Sequence, residues 1–418
     1  MSSEMPPNVL PNGVLLKDVM KKWSTIPGFP EIKVTRNYNT ANNNTITLEQ
    51  SQFLLPPYPD RVTGLLWYVP FTLTTENSPS TSTRFYRVNY DDENWKLLSE
   101  ALPKLTNASR AILIDDALNL ARGGRLDYSI ALDVLNLLPN ETNFVPWSAA
   151  LNGLGYLYDR FSNDTETRKV VEEYIRDKFI YVYTYVKGFS IGTTEAHEFA
   201  LTRQLILHWA CRVDHELCIN EAKQQFQAWR LRPNPNPIDP DVRRVSYCTG
   251  MRIGGQTEFD LLETRYPSSS IPDKQRIIYA MGCANETDIL AKYLRYSITA
   301  STPATPFQGR EVWDGGLIEV GKAFSEDLAP KLNTQNQLEQ LEHMVMFSTL
   351  GEAEDGVKIA IRTLNETLVW QENYHNDVFR LMGGNTPSIP GTAASIRVPI
   401  LILILSLSLI TADYFALI

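Results

Sequence analysis

A mainly α-helical fold with a short β region ahead of it is what this sequence predicts, on three observations. From Asn94 onward, apolar residues recur at helical spacing, in segments of roughly 12 to 20 residues broken by Gly, Pro or Asn. Between Gly28 and Tyr90 the apolar runs are short and alternate with polar residues, and Pro and Asn clusters separate them. The chain has 418 residues, 43% hydrophobic and 10% aromatic, enough for the cores of roughly two or three domains.

In the β region, Ile32 and Val34 alternate with polar neighbours, as do Ile46 and Leu48, and Leu65 to Val69 reads as a buried run before Pro70. Helices are predicted over Arg110 to Ala121, ended by Gly123 and Gly124, and over Glu166 to Lys178. Further helices are predicted over Glu195 to Val213, Pro272 to Gly282 and Thr287 to Ser297. Phe179 to Val186, rich in aromatic and β-branched residues, is strand-like. The Pro-rich run from Trp229 to Arg244 connects two helical hairpins. Short amphipathic helices joined by short turns stack as hairpins into an α-solenoid or a superhelical bundle, here without a strict sequence period.

The net charge of -9, with no long Lys/Arg block, argues against nucleic acid, which needs clustered positive charge. Asn-x-Ser/Thr sequons start at Asn43, Asn107, Asn140, Asn163, Asn285 and Asn365, the density of a secreted glycoprotein. The four cysteines, Cys211, Cys218, Cys248 and Cys283, permit three disulfide connectivities. Sequence order favours Cys211 with Cys218 and Cys248 with Cys283. Seven residues of straight helix span about 10.5 Å, beyond the ~7 Å that a disulfide tolerates, so the first pair requires a break, expected at Val213-Asp214-His215.

Val398 to Ile418 is an almost unbroken apolar run with Arg397 before it and no basic residue after it. Ahead of it lie the small-residue cluster Gly383, Gly384, Asn385 and Thr386 and a polar spacer, the order of a glycosylphosphatidylinositol (GPI) signal. A one-pass tail anchor is the alternative. The N-terminal residues have neither the charged nor the apolar region of a secretory signal, so the chain is expected to be the tail of a longer secreted parent.

Several motifs resemble catalytic ones and fall short. Gly188-Phe189-Ser190-Ile191-Gly192 fits the G-x-S-x-G nucleophile elbow, yet it sits among helices, where a Gly-rich turn is the plainer reading. His197-Glu198 opens like H-E-x-x-H, but Leu201 replaces the second ligand. His208, Cys211, His215 and Cys218 have zinc-ligand types in a stripe too long to close a tetrahedron. Gly316 to Ala323 resembles a P-loop with Ala323 where Ser or Thr is required. Asp115-Asp116 and Glu172-Glu173 are adjacent pairs on helices, pointing about 100° apart, and read as solvated or capping residues. No catalytic or metal-binding residue is therefore expected.

Leu16-Lys17-Asp18-Val19-Met20, Trp23 and Gly28-Phe29-Pro30 resemble the segment that follows the catalytic domain in aminopeptidase N-type zinc metallopeptidases. Gln52-Phe53 and Trp67-Tyr68-Val69-Pro70 are similar to the next strands of that family. Tyr86-Arg87-Val88-Asn89-Tyr90-Asp91 with Asn94-Trp95 is the most specific match, followed by Ile114 to Ala121. The spacing of the two cysteine pairs is similar to that of extracellular members, and with the apolar tail the chain looks most like the insect midgut branch. The resemblance implies a β-sandwich followed by a HEAT-like α-helical domain that caps a peptide chamber. It also implies that the β region is short of one or two strands, since only Phe71 to Phe85 stands between two family motifs.

On this reading, residues 1–23 link to a catalytic domain, 24–90 form a β-sandwich and 91–382 the helical C-terminal domain. Residues 383–397 hold the anchor site and spacer, and 398–418 the GPI signal. The expected function is the non-catalytic C-terminal region of a membrane-anchored zinc aminopeptidase that removes N-terminal residues from peptides at the outer face of the plasma membrane. No cofactor is expected in this chain, with zinc in the parent. Expected partners are the parent's catalytic domain, its peptides, the membrane and a second copy. The rival readings are a glycosylated cell-surface module that binds peptides or bacterial toxins, and a serine hydrolase acting through Ser190.

Overall fold

The computed structural model describes residues 13–38, 45–55, 66–69, 86–161, 165–192, 194–286, 288–289, 292–293, 332, 334–347 and 354–384. The fold is mainly α, with one three-stranded sheet among the described residues. It divides into two compact units, residues 1–137 and 138–418.

The first unit holds α1 (Leu16–Thr25), β1 (Phe29–Arg36), β2 (Ile46–Phe53), β3 (Arg87–Tyr90), α2 (Asp92–Ala101), α3 (Asn107–Arg122) and α4 (Tyr128–Asp133). β1 is central, antiparallel to β2 from Phe29↔Phe53 to Arg36↔Ile46 and parallel to β3 from Glu31↔Arg87 to Val34↔Tyr90. Gly28 enters β1 at φ +79, and a Cβ there would stand 2.5 Å from the Phe53 carbonyl oxygen, so only glycine fits. Glu31, buried in the central strand, accepts from Asn89 Nδ2 (3.1 Å) and Ser51 Oγ (3.2 Å) and faces Arg125 at 3.5 Å. That network satisfies a carboxylate that would otherwise be costly to bury.

Asp91 caps α2 by accepting from the Asn94 N–H, and it also accepts from the Arg36 N–H and the Tyr38 hydroxyl. Burial works to raise its pKa, but those donors outweigh it and hold the carboxyl below its usual range. Burial and the Asp91 carboxylate push Tyr38 up to about 12. Around Trp67 the sequence reading needs correction. Trp67 is buried, but Leu66 and Tyr68 are exposed, and the segment pairs through the Gln50 side chain, which both donates to and accepts from the Trp67 backbone.

The second unit is built from α5 (Phe144–Arg160), α6 (Thr165–Tyr185), α7 (His197–Arg212), α8 (Glu216–Leu231), α9 (Arg243–Ile253), α10 (Gln256–Arg265) and α11 (Ile271–Met281). α12 (Gln335–Phe347) and α13 (Glu354–Leu381) pack on each other around Leu338, Leu341, Val357, Ala360 and Leu364. α5 packs on α7, α7 on α9 and α9 on α11, which makes one layer. α6, α8 and α10 pack against members of that layer and make the second. Helical hairpins repeated in this way form the two-layer array that the periodicity predicts.

α6 corrects the strand expectation for Phe179 to Val186, because Phe179 to Tyr185 completes a helix and Val186 follows it in a turn. Ile175, Phe179, Val182, Tyr183 and Val186 are buried at spacings of three and four, while Ile180, Tyr181 and Tyr185 face out. Burial periodicity overrides β-propensity here. Phe179 stacks on the fully buried Trp147 of α5, with ring centres 5.3 Å apart. The Pro-rich connection is also shorter than expected, since α8 runs to Leu231 and α9 starts at Arg243.

Cys211 is bonded to Cys218 and Cys248 to Cys283, with Cα separations of 5.2 and 5.3 Å. The first bond staples α7 to α8 across the turn at Val213-Asp214-His215, where Asp214 adopts φ 56. The second joins α9 to the end of α11.

Candidate functional site

The described residues among the sequence-level catalytic leads make the following contacts. Ser190 sits on an exposed turn after α6 and donates its backbone N–H to the Lys187 carbonyl. Among the described residues, no histidine side chain hydrogen-bonds to the Ser190 hydroxyl. Glu198 accepts from Asn143 Nδ2 at 2.6 Å and ties α7 to the start of α5. Cys211 and Cys218 are consumed by their disulfide, and His215 stacks on Tyr183 with centres 4.5 Å apart. Among the described residues no group of His, Cys, Asp and Glu is placed to hold a metal ion. The P-loop-like segment from Gly316 to Ala323 lies outside the described residues.

The paired carboxylates differ from expectation. Asp116 is buried, accepting from Arg87 Nη1 at 3.0 Å and from the Val88 N–H at 3.1 Å, and Asp115 takes the same guanidinium at 2.7 Å. Glu172 is likewise buried, bonded to the Tyr158 hydroxyl and Arg168 Nε, while Glu173 is exposed. These carboxylates lock β3 to α3 and α5 to α6.

Of the sequons, Asn107, Asn140 and Asn285 are exposed and Asn365 is half-buried in α13, whereas Asn43 and Asn163 lie outside the described residues. Gly383 follows the end of α13 at φ 106 with open space around its Cα. Asn385, Thr386 and the apolar tail lie outside the described residues. Among those described, no helix is long and apolar enough to cross a membrane.

Polar and aromatic side chains gather on a ledge along the α5–α7–α9–α11 layer. Arg212 pairs with Asp159 at 2.7 Å and packs on Tyr158 and Trp209. Next to it on α7, half-buried His208 stands edge-on to Trp209. Burial, then Arg212 and Arg244, pull its pKa down to about 4, so the imidazole is neutral at neutral pH. Arg244, exposed at the start of α9, lies 3.8 Å over the Tyr279 ring of α11. The ledge is lined by the guanidinium groups of Arg212 and Arg244 and the imidazole of His208. The sequence reading missed it because its members come from four helices, and only the surplus of arginine at Arg243-Arg244 could have pointed there.

Residues 80–313 match the model of the ERAP1-like C-terminal domain, which is more than half of the chain. The chain belongs to the ERAP1-like C-terminal domain family. Relatives of this family member include aminopeptidase N of Plutella xylostella, 31% identical over 65% of this chain and 32% of that protein. The membrane alanyl aminopeptidase of Manduca sexta is 26% identical over 70% of this chain and 33% of its own length. The thyrotropin-releasing hormone-degrading ectoenzyme of Mus musculus is 24% identical over 88% and 41%. The chain thus spans 32% to 41% of the length of these curated relatives.

Proposed function

We propose that this chain is the non-catalytic C-terminal region of a membrane-anchored zinc aminopeptidase, its helical array forming one wall of the space that receives peptides. The observation that carries this reading is the family match over residues 80–313, in a chain whose relatives are named aminopeptidases. In the parent, zinc-activated water would release the N-terminal residue, and this region would supply enclosure and orientation. The small-residue cluster from Gly383 to Thr386 and the apolar run after Arg397 support a GPI anchor. The sequons and the two disulfides support an oxidising, extracellular setting.

The test is hydrolysis of alanine p-nitroanilide by the purified 418-residue chain supplied with zinc. No turnover is expected, and metal analysis should find no tightly held zinc. Turnover that a chelator abolishes would overturn the reading.

A further inference from the structure

α6 is apolar on two faces. Ile175, Phe179, Val182 and Val186 are buried beneath neighbouring helices, while Tyr181, 52% exposed, and Tyr185, 42% exposed, stand one turn apart on the solvent side. Their rings are nearly parallel with centres 6.5 Å apart, and Tyr185 meets the Phe199 ring of α7 at 5.4 Å. The middle of α8, by contrast, turns Lys223, Gln224 and Gln227 to solvent. Single exposed apolar residues need no explanation, but a contiguous aromatic stripe on a helix already buried on its other face calls for a cover.

The sequon at Asn140 lies at the same end of the array. Asn143, which caps α5, donates from Nδ2 to Glu198 at 2.6 Å, and Glu198 directly precedes Phe199. Trp147 of α5 stacks on Phe179 of α6 and donates its Nε1 to the Glu141 carbonyl at 2.9 Å. Asn140 is three residues from Asn143, a reach of at most about 11 Å. The buried Glu141 carboxylate accepts the Thr142 and Asn143 N–H groups, both at 2.8 Å, which turns that residue inward and leaves Asn140 exposed.

We propose that Asn140 carries an N-linked glycan that folds back over Tyr181, Tyr185 and Phe199, with the C–H face of a pyranose lying on these rings. The Asn140 amide nitrogen forms a bond to the anomeric carbon of a lipid-diphosphate-linked oligosaccharide. The anomeric C–O bond breaks, the lipid diphosphate leaves with its electron pair, and an amide proton is lost to water. A pyranose suits the stripe because its C–H face covers apolar ring surface while its hydroxyl groups stay in water, and tyrosine is amphipathic in the same way. Tethered so near, the sugar sits at high effective concentration beside the rings. That Asn140 meets the glycosylation machinery rests on the extracellular setting proposed above; the cover rests on the stripe.

The test uses the full chain, given a secretion signal, produced in glycosylating cells and purified in detergent. Peptide mapping should find a glycan on Asn140, and tetranitromethane should nitrate Tyr181 and Tyr185 slowly in the wild type. In Asn140→Gln both should react about 5-fold faster, while Tyr68 of the first unit, also exposed, keeps its rate. Thr142→Ser, which preserves the sequon, should keep the wild-type rates. Tyr181→Ala with Tyr185→Ala, at two exposed positions, should leave circular dichroism unchanged and let an endoglycosidase remove the Asn140 glycan from folded protein about 5-fold faster. Equal nitration in the wild type and Asn140→Gln would overturn the cover. Slow nitration that persists in Asn140→Gln and fades on dilution would overturn it in favour of a second copy. Asn140 left bare while Asn107 or Asn285 carries a glycan would overturn the site and leave the extracellular setting standing. A chain glycosylated nowhere would overturn both, whereas hydrolysis of alanine p-nitroanilide reports on the proposed function alone.

Discussion

Arg203 and Glu195 form a two-point ion pair, Nη1 to Oε2 at 2.5 Å and Nη2 to Oε1 at 2.6 Å, with Arg203 fully buried in α7. Arg203 Nε also donates to the Val186 carbonyl, and Glu195 accepts the Gly192 N–H, so the pair pins the whole turn that carries Ser190.

Replacing Glu195 with Gln leaves the guanidinium buried without its counter-charge and is expected to cost about 3 kcal/mol in urea unfolding. The Arg203 hydrogen bonds hold the Glu195 carboxyl down at about 2, against an ordinary 4.5. A depressed carboxylate stabilises the fold above its unfolded pKa. The contribution is therefore intact above pH ~4.5 and is lost as pH falls toward ~2. Thermal unfolding measured across that window should show a steeper acid loss in wild type than in Glu195→Gln, and parallel curves would contradict the assignment.

In the first unit, Asp115 and Asp116 should separate sharply. Asp116→Ala removes a buried partner of Arg87 and the Val88 N–H and is expected to cost about 3 kcal/mol. Asp115→Ala, at a side chain 45% exposed, should cost less than about 1 kcal/mol. Equal losses in urea unfolding would show that the two carboxylates do not divide the work in this way.

That contrast marks how far the sequence could be read. Helices such as α3 and α7 were legible because three- and four-residue spacing reports the buried face directly. Asp116 was not, because its partner Arg87 lies on a strand 29 residues away and nothing local announces the pair. Phe179 to Val186 misled for another reason. Their β-propensity is real, and only the burial of Val182 and Val186 beneath neighbouring helices decides for helix. The ledge of His208, Arg212 and Arg244 was illegible because it is assembled by the packing of α7 on α9.

The two disulfides should differ in weight. Removing Cys248–Cys283 opens a 35-residue separation and is expected to cost nearly 4 kcal/mol by loop entropy, against about 2.5 kcal/mol for the seven-residue separation of Cys211–Cys218. Paired Cys→Ser variants compared in urea unfolding check the order, and a larger loss from the short bridge would reverse it.

The tail is testable by charge. Leu403→Asp with Leu405→Asp places two carboxylates mid-run, at roughly 2.5 to 3.5 kcal/mol each for membrane insertion. Given a secretion signal, the wild-type chain should be released from cells by a phosphatidylinositol-specific phospholipase, and the variant should never become anchored. Wild-type protein that resists the phospholipase and retains Ile418 would make the tail a spanning helix.

The central claim is that these residues are one region of a larger zinc aminopeptidase. An antibody against α8 should capture the native protein from a phospholipase-released membrane fraction, for peptide mapping and assay on alanine p-nitroanilide. The account predicts one polypeptide that contains these residues together with an H-E-x-x-H segment and releases p-nitroaniline in a chelator-sensitive way. Captured protein that maps only to these 418 residues, with no zinc-dependent turnover, would contradict it.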